Sequence, residues 1–333
     1  MSQPVALSVV VDRFSPYPHI RIMEGPVPHP SPQDVLVEIA AAALNPIDIA
    51  TATGLANGGK IYPNLSATFP LSLGWDMAGT IVEVGSKVMN WRVGDKVVAM
   101  VHQIASGFGV QASHVVVPAE LLASWPPTIP ATHIAALPLA GLTAYQAIQA
   151  LRLKPNETVL INGPLGAVGS IATQLATLAE AKVVGIVRSS EFEIAANLGI
   201  TVCIGRGKNI AKAAQQLNLS IDAALDVVGG DTALQTLSAV RNNGRYVTLI
   251  PHIGLGLPTP QRGIVQQNVL IVPDAVQLGE LIGLAETGKL KFINEPTIIS
   301  LQNAQHAYDL MTRRRSHKKI ILVNDNAFVA TPQ

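Results

Sequence analysis

One cysteine, Cys203, stands in 333 residues. A lone cysteine closes no intrachain disulfide and supports no cysteine-rich metal framework. Its apolar neighbours suggest a small buried thiol. Charge is also scarce: 14% of the residues are charged and the net charge is +1. That balance leaves no electrostatic footprint for nucleic acid or an anionic membrane. The histidines, at 19, 29, 102, 114, 133, 252, 306 and 317, form no H-x-x-x-H pair. They read as ordinary surface or core side chains. The longest charge-free stretch, 121–151, is interrupted by Pro126, Pro127, Pro130 and Pro138 and does not read as a membrane span. Met1-Ser2-Gln3-Pro4 has neither the basic region nor the apolar core of a secretory signal. The expectation is a soluble cytoplasmic protein with no membrane and no nucleic-acid partner.

What is present in quantity is apolar: 48% of the chain. A parallel sheet buried on both faces reads as Val/Ile/Leu runs, and the length is enough for two domains with full cores. The most informative stretch is Val159-Leu160-Ile161-Asn162-Gly163-Pro164-Leu165-Gly166-Ala167-Val168-Gly169. An apolar strand enters a glycine-spaced turn and opens into a helix with Ile171, Leu175 and Leu178 on one face. Glycines 163, 166 and 169 follow the dinucleotide fingerprint, with the first gap one residue wider than G-x-G-x-x-G. The middle glycine lets backbone N–H groups reach a pyrophosphate. The last lets the helix pack close on the strand. The helix start adds unpaired donors and a partial positive charge.

A second strand, Val183 to Val187, ends in Arg188-Ser189-Ser190, about 20 residues after the last glycine, where this motif reads the adenosine ribose. An acidic residue there accepts bonds from the ribose hydroxyls of NAD. An arginine followed by two hydroxyls suits a 2′-phosphate instead and argues for NADP (NADPH). Ser190 with Glu193 also reads as a capping box for the next helix.

Along the chain, 6–12 and 35–44 read as strands joined by a proline-rich connection through Pro26, Pro28, Pro30 and Pro32. Short strands separated by turns continue from Ile81 to Val117, which is antiparallel β-barrel material. After the proline cluster at 126–130, a helical pattern fills 131–150. Strand and helix then alternate from Val159 to Ile250, with Asn242-Asn243-Gly244 read as a turn, signalling a parallel sheet. Helices at 278–287 and 303–313 and strands at 298–299 and 319–323 close the chain. The organisation expected is α/β: a doubly wound parallel sheet at 126–268, inserted into a mainly β domain made of 1–125 and 269–333.

Several further segments carry a resemblance. They are Ala43-Leu44-Asn45-Pro46-Ile47-Asp48, Gly74-Trp75-Asp76-Met77-Ala78-Gly79 through Gly85, and Gly94-Asp95-Lys96-Val97. Leu137-Pro138-Leu139-Ala140-Gly141-Leu142-Thr143-Ala144, the glycine fingerprint and Asp226-Val227-Val228-Gly229-Gly230 continue it. In this order and spacing, over nearly the whole length, the chain resembles a medium-chain dehydrogenase/reductase of the zinc-free quinone oxidoreductase type. The resemblance implies a GroES-like barrel domain and a Rossmann domain with NADP in the cleft between them. It also implies hydride transfer to a quinone, an enone or an enal, and often a homodimer joined at the edges of the α/β sheets, for which 251–272 is the expected edge.

Zinc alcohol dehydrogenases of this superfamily carry a Cys ligand where Asn45 stands and a His ligand where Trp75 stands. Trp cannot ligate zinc and an amide oxygen is a poor ligand. No metal is expected. The resemblance puts Asn45 against nicotinamide and substrate; as a residue before Pro46 it also reads as a turn asparagine. Tyr62 is the nearest phenol to that motif, and it also reads as a packed loop aromatic. Thr143 is implied at the nicotinamide ribose or carboxamide, and Gly163, Gly166, Ala167, Val168 and Gly169 at the pyrophosphate. Arg188, Ser189, Ser190 and Arg206 are implied at the adenosine phosphate, where Arg206 also reads as a loop charge. Val227, Leu249, Ile250, Val272 and Lys319 complete the expected cofactor contacts. No general acid is named. Two alternatives stand beside this reading: an enoyl-thioester reductase, for which Arg313-Arg314-Arg315-Ser316-His317-Lys318-Lys319 would supply charge, and a non-catalytic NADPH-binding sensor or structural protein.

Overall fold

The Val/Ile/Leu runs in the middle of the chain become six strands, all parallel. This is seen in a computed structural model that describes residues 5–56, 67–250, 262–313 and 318–328. The strand order is Ile200–Gly205, Lys182–Val187, Thr158–Asn162, Ile221–Asp226, Val240–Thr248, Val265–Asn268. Parallel neighbours need crossovers, and the helices Ala167–Leu178, Phe192–Asn197, Ile210–Gln216 and Gly230–Ala239 supply them. The chain steps outward in one direction from Thr158–Asn162 and then returns to its other side. The order therefore reverses between Thr158–Asn162 and Ile221–Asp226, the point where doubly wound sheets hold ligands beyond the strand ends. Leu160, Val184, Ile204, Ala224 and Tyr246 form part of this unit's buried core.

The other unit is mainly β. One sheet runs Thr297–Ser300, Ile320–Val323, Asp34–Leu44, Asp76–Val84, Lys96–Met100, Ala123–Ser124, with His114–Pro118 also paired to Asp34–Leu44. Val35, Val37 and Ile39 point to one face, as a period of two requires, and meet Met77, Ile81 and Val97. A three-stranded sheet, Ile20–Pro26, Val5–Val11, Leu71–Ser72, covers a second core with Leu44, Tyr308 and Leu322.

The β unit comprises 1–139, 272–287 and 294–333, and the parallel-sheet unit 140–271 and 288–293. The first division falls later than the expected 125/126 because the proline cluster is not a linker. Trp125 Nε1 donates to the Ile129 carbonyl at 2.7 Å, and the short helix Ala131–Ile134 packs on the strand Asp34–Leu44. The expected helix at 131–150 is two: Pro138, with no N–H to give, opens a separate helix Pro138–Leu151. Strand Ile20–Pro26 lies where only a proline-rich connection was expected; Pro26 is tolerated because this is an edge strand. The expected turn at Asn242-Asn243-Gly244 is an irregularity inside Val240–Thr248, with Asn243 at φ 58° and a register shift opposite. Of the expected sheet edge 251–272, residues 251–261 lie outside the described residues, and Val265–Asn268 forms the edge strand.

Candidate active site

In the parallel-sheet unit the glycines of the fingerprint separate by what surrounds them. Gly163 has φ +87°, and a Cβ there would lie 2.7 Å from Val228 Cγ2 and 2.9 Å from Val227 Cγ2. A Cβ on Gly169 would lie 2.0 Å from the Gly163 carbonyl oxygen, so that glycine lets the helix sit on the turn. Gly166 is different: it is exposed, φ is −75°, and the nearest atom to an added Cβ is 3.6 Å away. Neither backbone conformation nor protein packing demands a glycine at this position. The space kept open lies at the start of helix Ala167–Leu178, whose N-cap, Gly166, brings no side-chain cap. The first-turn N–H groups of Ala167, Val168 and Gly169 lack helical partners and face that space.

Asp226 holds this end of the sheet together. It is fully buried and accepts from Asn162 Nδ2 at 2.7 Å, the Val228 and Gly229 N–H groups at 3.1 Å, and Tyr246 Oη at 3.2 Å. Burial beside Asp226 pushes the Tyr246 phenol far above its usual range, so it stays a donor. Val227 donates its N–H to the Asn162 carbonyl, Leu249 donates to that of Asp226, and Ile250 packs on Gly229. The three strand ends thus bring Gly163, Val227, Leu249 and Ile250 to one place.

At the neighbouring strand ends Arg188, Ser189, Ser190 and Arg206 are all exposed. The Arg206 N–H donates to the Val187 carbonyl at 2.7 Å, which sets the two arginines on adjacent strands side by side. Lys208 folds back over Gly205, with its Cε 3.6 Å from where a Cβ would stand. It was missed in the sequence, where Arg206 alone of this stretch was singled out. Of the three cations at this corner, Arg188 is the one seen against a carboxylate, that of Glu191. That carboxylate accepts the Arg188 N–H at 2.8 Å and lies 3.4 Å from its Nη1. This replaces the expected Ser190–Glu193 capping box: the turn Ser189–Glu191 is tighter than an α-helix, so the acid three residues after Arg188 makes the contact.

In the β unit Asn45 caps helix Pro46–Ala52, with Pro46 as its first residue, and the Asp48 carboxylate accepts the Asn45 N–H at 2.7 Å. The Asn45 side chain is turned elsewhere. Its Nδ2 donates to Asp76 Oδ2 at 2.9 Å, and its Oδ1 accepts from Lys319 Nζ. Asp76 Oδ1 accepts the Leu139 N–H at 2.8 Å, and Lys319 Nζ is 3.9 Å from Asp76 Oδ2. Asn45 is 1% exposed and both aspartates are fully buried. Burial pushes the Asp48 carboxyl up to about 8, with Asp76 adding to the effect. Burial also raises Asp76, to about 6, opposed by the Lys319 charge. Burial lowers Lys319, opposed by both aspartates. We read the cluster as a neutral Asp48 beside an Asp76–Lys319 ion pair with Asn45 bridging it. Trp75 is buried against the His102 ring, with centroids 4.5 Å apart.

Two family models match: alcohol dehydrogenase GroES-like domain over residues 31–127 and zinc-binding dehydrogenase over 167–271. The chain is 30% identical over 287 residues to a chloroplast envelope quinone oxidoreductase homolog of Arabidopsis thaliana, covering 83% of this chain and 84% of that one. It belongs to the quinone oxidoreductase type of medium-chain dehydrogenase/reductase. It is an oxidoreductase. A 2-methylene-furan-3-one reductase of Solanum lycopersicum is 29% identical over 304 residues, covering 89% of this chain and 73% of that one. The solved quinone oxidoreductase of Pseudomonas syringae pv. Tomato DC3000 superposes with a TM-score of 0.82 at 27% identity, covering 96% of this chain and 99% of that one.

Within this medium-chain reductase the remaining expected residues lie as follows. Lys319, expected at the cofactor, has its ammonium on Asn45, because Ile320 pairs with Leu44 and sets the residue before it opposite Asn45. Thr143 is half-buried in helix Pro138–Leu151, and Val272 is exposed just before helix Ala275–Glu286. Tyr62 lies outside the described residues, as do residues 314–317 of the basic run.

Proposed function

We propose that this oxidoreductase is an NADPH-dependent, zinc-independent reductase of quinones or of the activated C=C of α,β-unsaturated carbonyl compounds. The observation that carries the reading is Asn45 held between Asp76 and the Lys319 ammonium. Zinc does not fit this set. Asn45 and Trp75 stand at the ligand positions of zinc relatives, the one amide oxygen is already taken by an ammonium, and a second cation there would be repelled. A simple alkoxide, a strong base, normally needs a metal or a comparable acid. An enone or quinone spreads its charge by conjugation and needs only hydrogen-bond donors. The Solanum relative is named for a reductase of a conjugated methylene ketone, which supports the same substrate class.

Bound NADPH supplies a hydride. The residues that would hold it fit: the open space at Gly166 admits a pyrophosphate beside the Ala167, Val168 and Gly169 N–H groups. Arg188, Arg206, Lys208 and the two serine hydroxyls match a 2′-phosphate in charge and donor number. Asp226 keeps the strand ends in register beneath them.

The test is NADPH and NADH consumption by the purified chain with benzoquinone, ethyl vinyl ketone, crotonyl-CoA and a simple aldehyde. The reading expects turnover of the quinone or the ketone, with NADPH preferred. Turnover of crotonyl-CoA alone would transfer it to thioesters. Tight NADPH binding with no turnover of any would make the chain a nucleotide-binding protein that has lost catalysis.

A further inference from the structure

We propose that Lys319 is a catalytic residue: its ammonium donates to the carbonyl oxygen of the substrate as that oxygen gains negative charge. This rests on the reductase reading above and supplies the electrophile that the sequence does not name.

Among the described residues Lys319 is the only cation in the Asn45 cluster, and its side chain is 12% exposed. An ammonium has three N–H donors. One goes to Asn45 Oδ1. Asp76 Oδ2, at 3.9 Å, balances the charge without taking a second hydrogen bond. Among the described residues the other two donors have no partner. Asp76 cannot move away to quench the cation, because Asn45 Nδ2 at 2.9 Å and the Leu139 N–H at 2.8 Å fix its two oxygens. Asn45 cannot turn over either: a cation holds its oxygen and an anion its nitrogen. The charge is therefore oriented and mostly desolvated before any substrate arrives, the condition under which a donor stabilises a developing oxyanion most. It acts by charge and hydrogen bonding, since an ammonium has no vacant orbital to coordinate oxygen.

The electron count closes with Lys319 unchanged. When a hydride adds to the β-carbon, its pair becomes the new C–H bond. The C=C π pair moves between the α-carbon and the carbonyl carbon, and the carbonyl π pair moves onto oxygen, which becomes the enolate O⁻ held by Lys319. A proton from water then adds to the α-carbon. The enolate C=C pair forms that bond, an oxygen pair re-forms the C=O of the saturated carbonyl, and a proton from the buffer neutralises the hydroxide.

The experiment compares wild type, Lys319→Met and Lys319→Arg by two readouts. With ethyl vinyl ketone and NADPH, Lys319→Met should lower kcat roughly 100-fold while the Kd for NADPH moves by less than about threefold. In the presence of NADP, para-nitrophenol serves as a stable mimic of the oxyanion. Wild type should hold it as the phenolate below its free-solution pKa, Lys319→Arg should do so in part, and Lys319→Met not at all. If Lys319→Met leaves Asp76 unpaired and does not fold, the double variant Asp76→Asn/Lys319→Met carries the same measurements. Loss of NADPH affinity equal to the loss of kcat would make Lys319 a cofactor ligand and overturn the proposal. So would phenolate binding that is indifferent to Lys319. If wild type reduces none of the carbonyl compounds yet its phenolate binding depends on Lys319, the reductase reading falls and the anion site stands.

Discussion

Gly166 separates ligand contact from folding more sharply than the glycines on either side. A Cβ there meets only the Gly163 carbonyl oxygen, at the ordinary contact distance of 3.6 Å, and φ is negative. Gly166→Val should cost folding only about 1 kcal/mol, the difference between poor and good N-cap residues. It should nevertheless abolish NADPH binding, as read by thermal melting and nicotinamide fluorescence. Gly169→Ala should do the reverse first, since its Cβ would run into the Gly163 carbonyl. Arg188 offers the second test at this scale. Arg188→Ala should weaken NADPH by at least about tenfold, the worth of one charge-assisted bond, and leave NADH nearly unchanged. Equal losses for both cofactors would remove the 2′-phosphate from this corner. The turn at the glycines and the strand end before Arg188 were legible in the sequence because each depends on neighbours within one turn or one strand. The place of Lys319 beside Asn45 was not, although the residue itself was expected at the cofactor: it lies 274 residues from Asn45, and only the antiparallel pairing of Ile320 with Leu44 brings the two together.

Among elements, the decisive ones are three strand ends tied by one carboxylate. Strands Thr158–Asn162, Ile221–Asp226 and Val240–Thr248 all lead to Asp226 through Asn162, its own turn and Tyr246. Asp226→Ala would leave a phenol and two backbone N–H groups without their acceptor, and the Asn162 amide with Thr232 alone. On the order of 3 kcal/mol of stability should be lost, and NADPH should bind more weakly because Val227 and Val228 pack on Gly163. Urea unfolding with a cofactor titration reads both. A variant that unfolds at the wild-type midpoint would show that the turn holds without this acid. Element types were legible wherever apolar periodicity was unbroken, as in Val183 to Val187. The strand Ile20–Pro26 was obscured by the prolines that follow it, and the division at 139/140 by prolines that are packed rather than loose.

For the molecule as a whole, the buried aspartates set a stability profile that runs opposite to ordinary acid denaturation. An unfolded Asp releases its proton near 4, whereas folded Asp48 holds its proton up to about 8 and Asp76 up to about 6. Between these limits these two groups hold more protons in the folded chain than in the unfolded one. Their contribution to stability therefore falls as pH rises, by about 1 kcal/mol per pH unit for each group in its window. Above pH 6 the loss belongs mainly to Asp48. His102, whose pKa burial lowers, pulls weakly the other way up to about pH 6.5, because there the unfolded imidazole binds more protons. The clean quantity is thus the difference between wild type and Asp48→Asn. Melting temperatures taken from pH 6 to pH 8 should fall for wild type and stay nearly level for the variant, which has no proton to lose at this site. Parallel curves would mean that Asp48 is already ionised when folded. The buried cluster would then carry two negative charges against the single positive charge of Lys319.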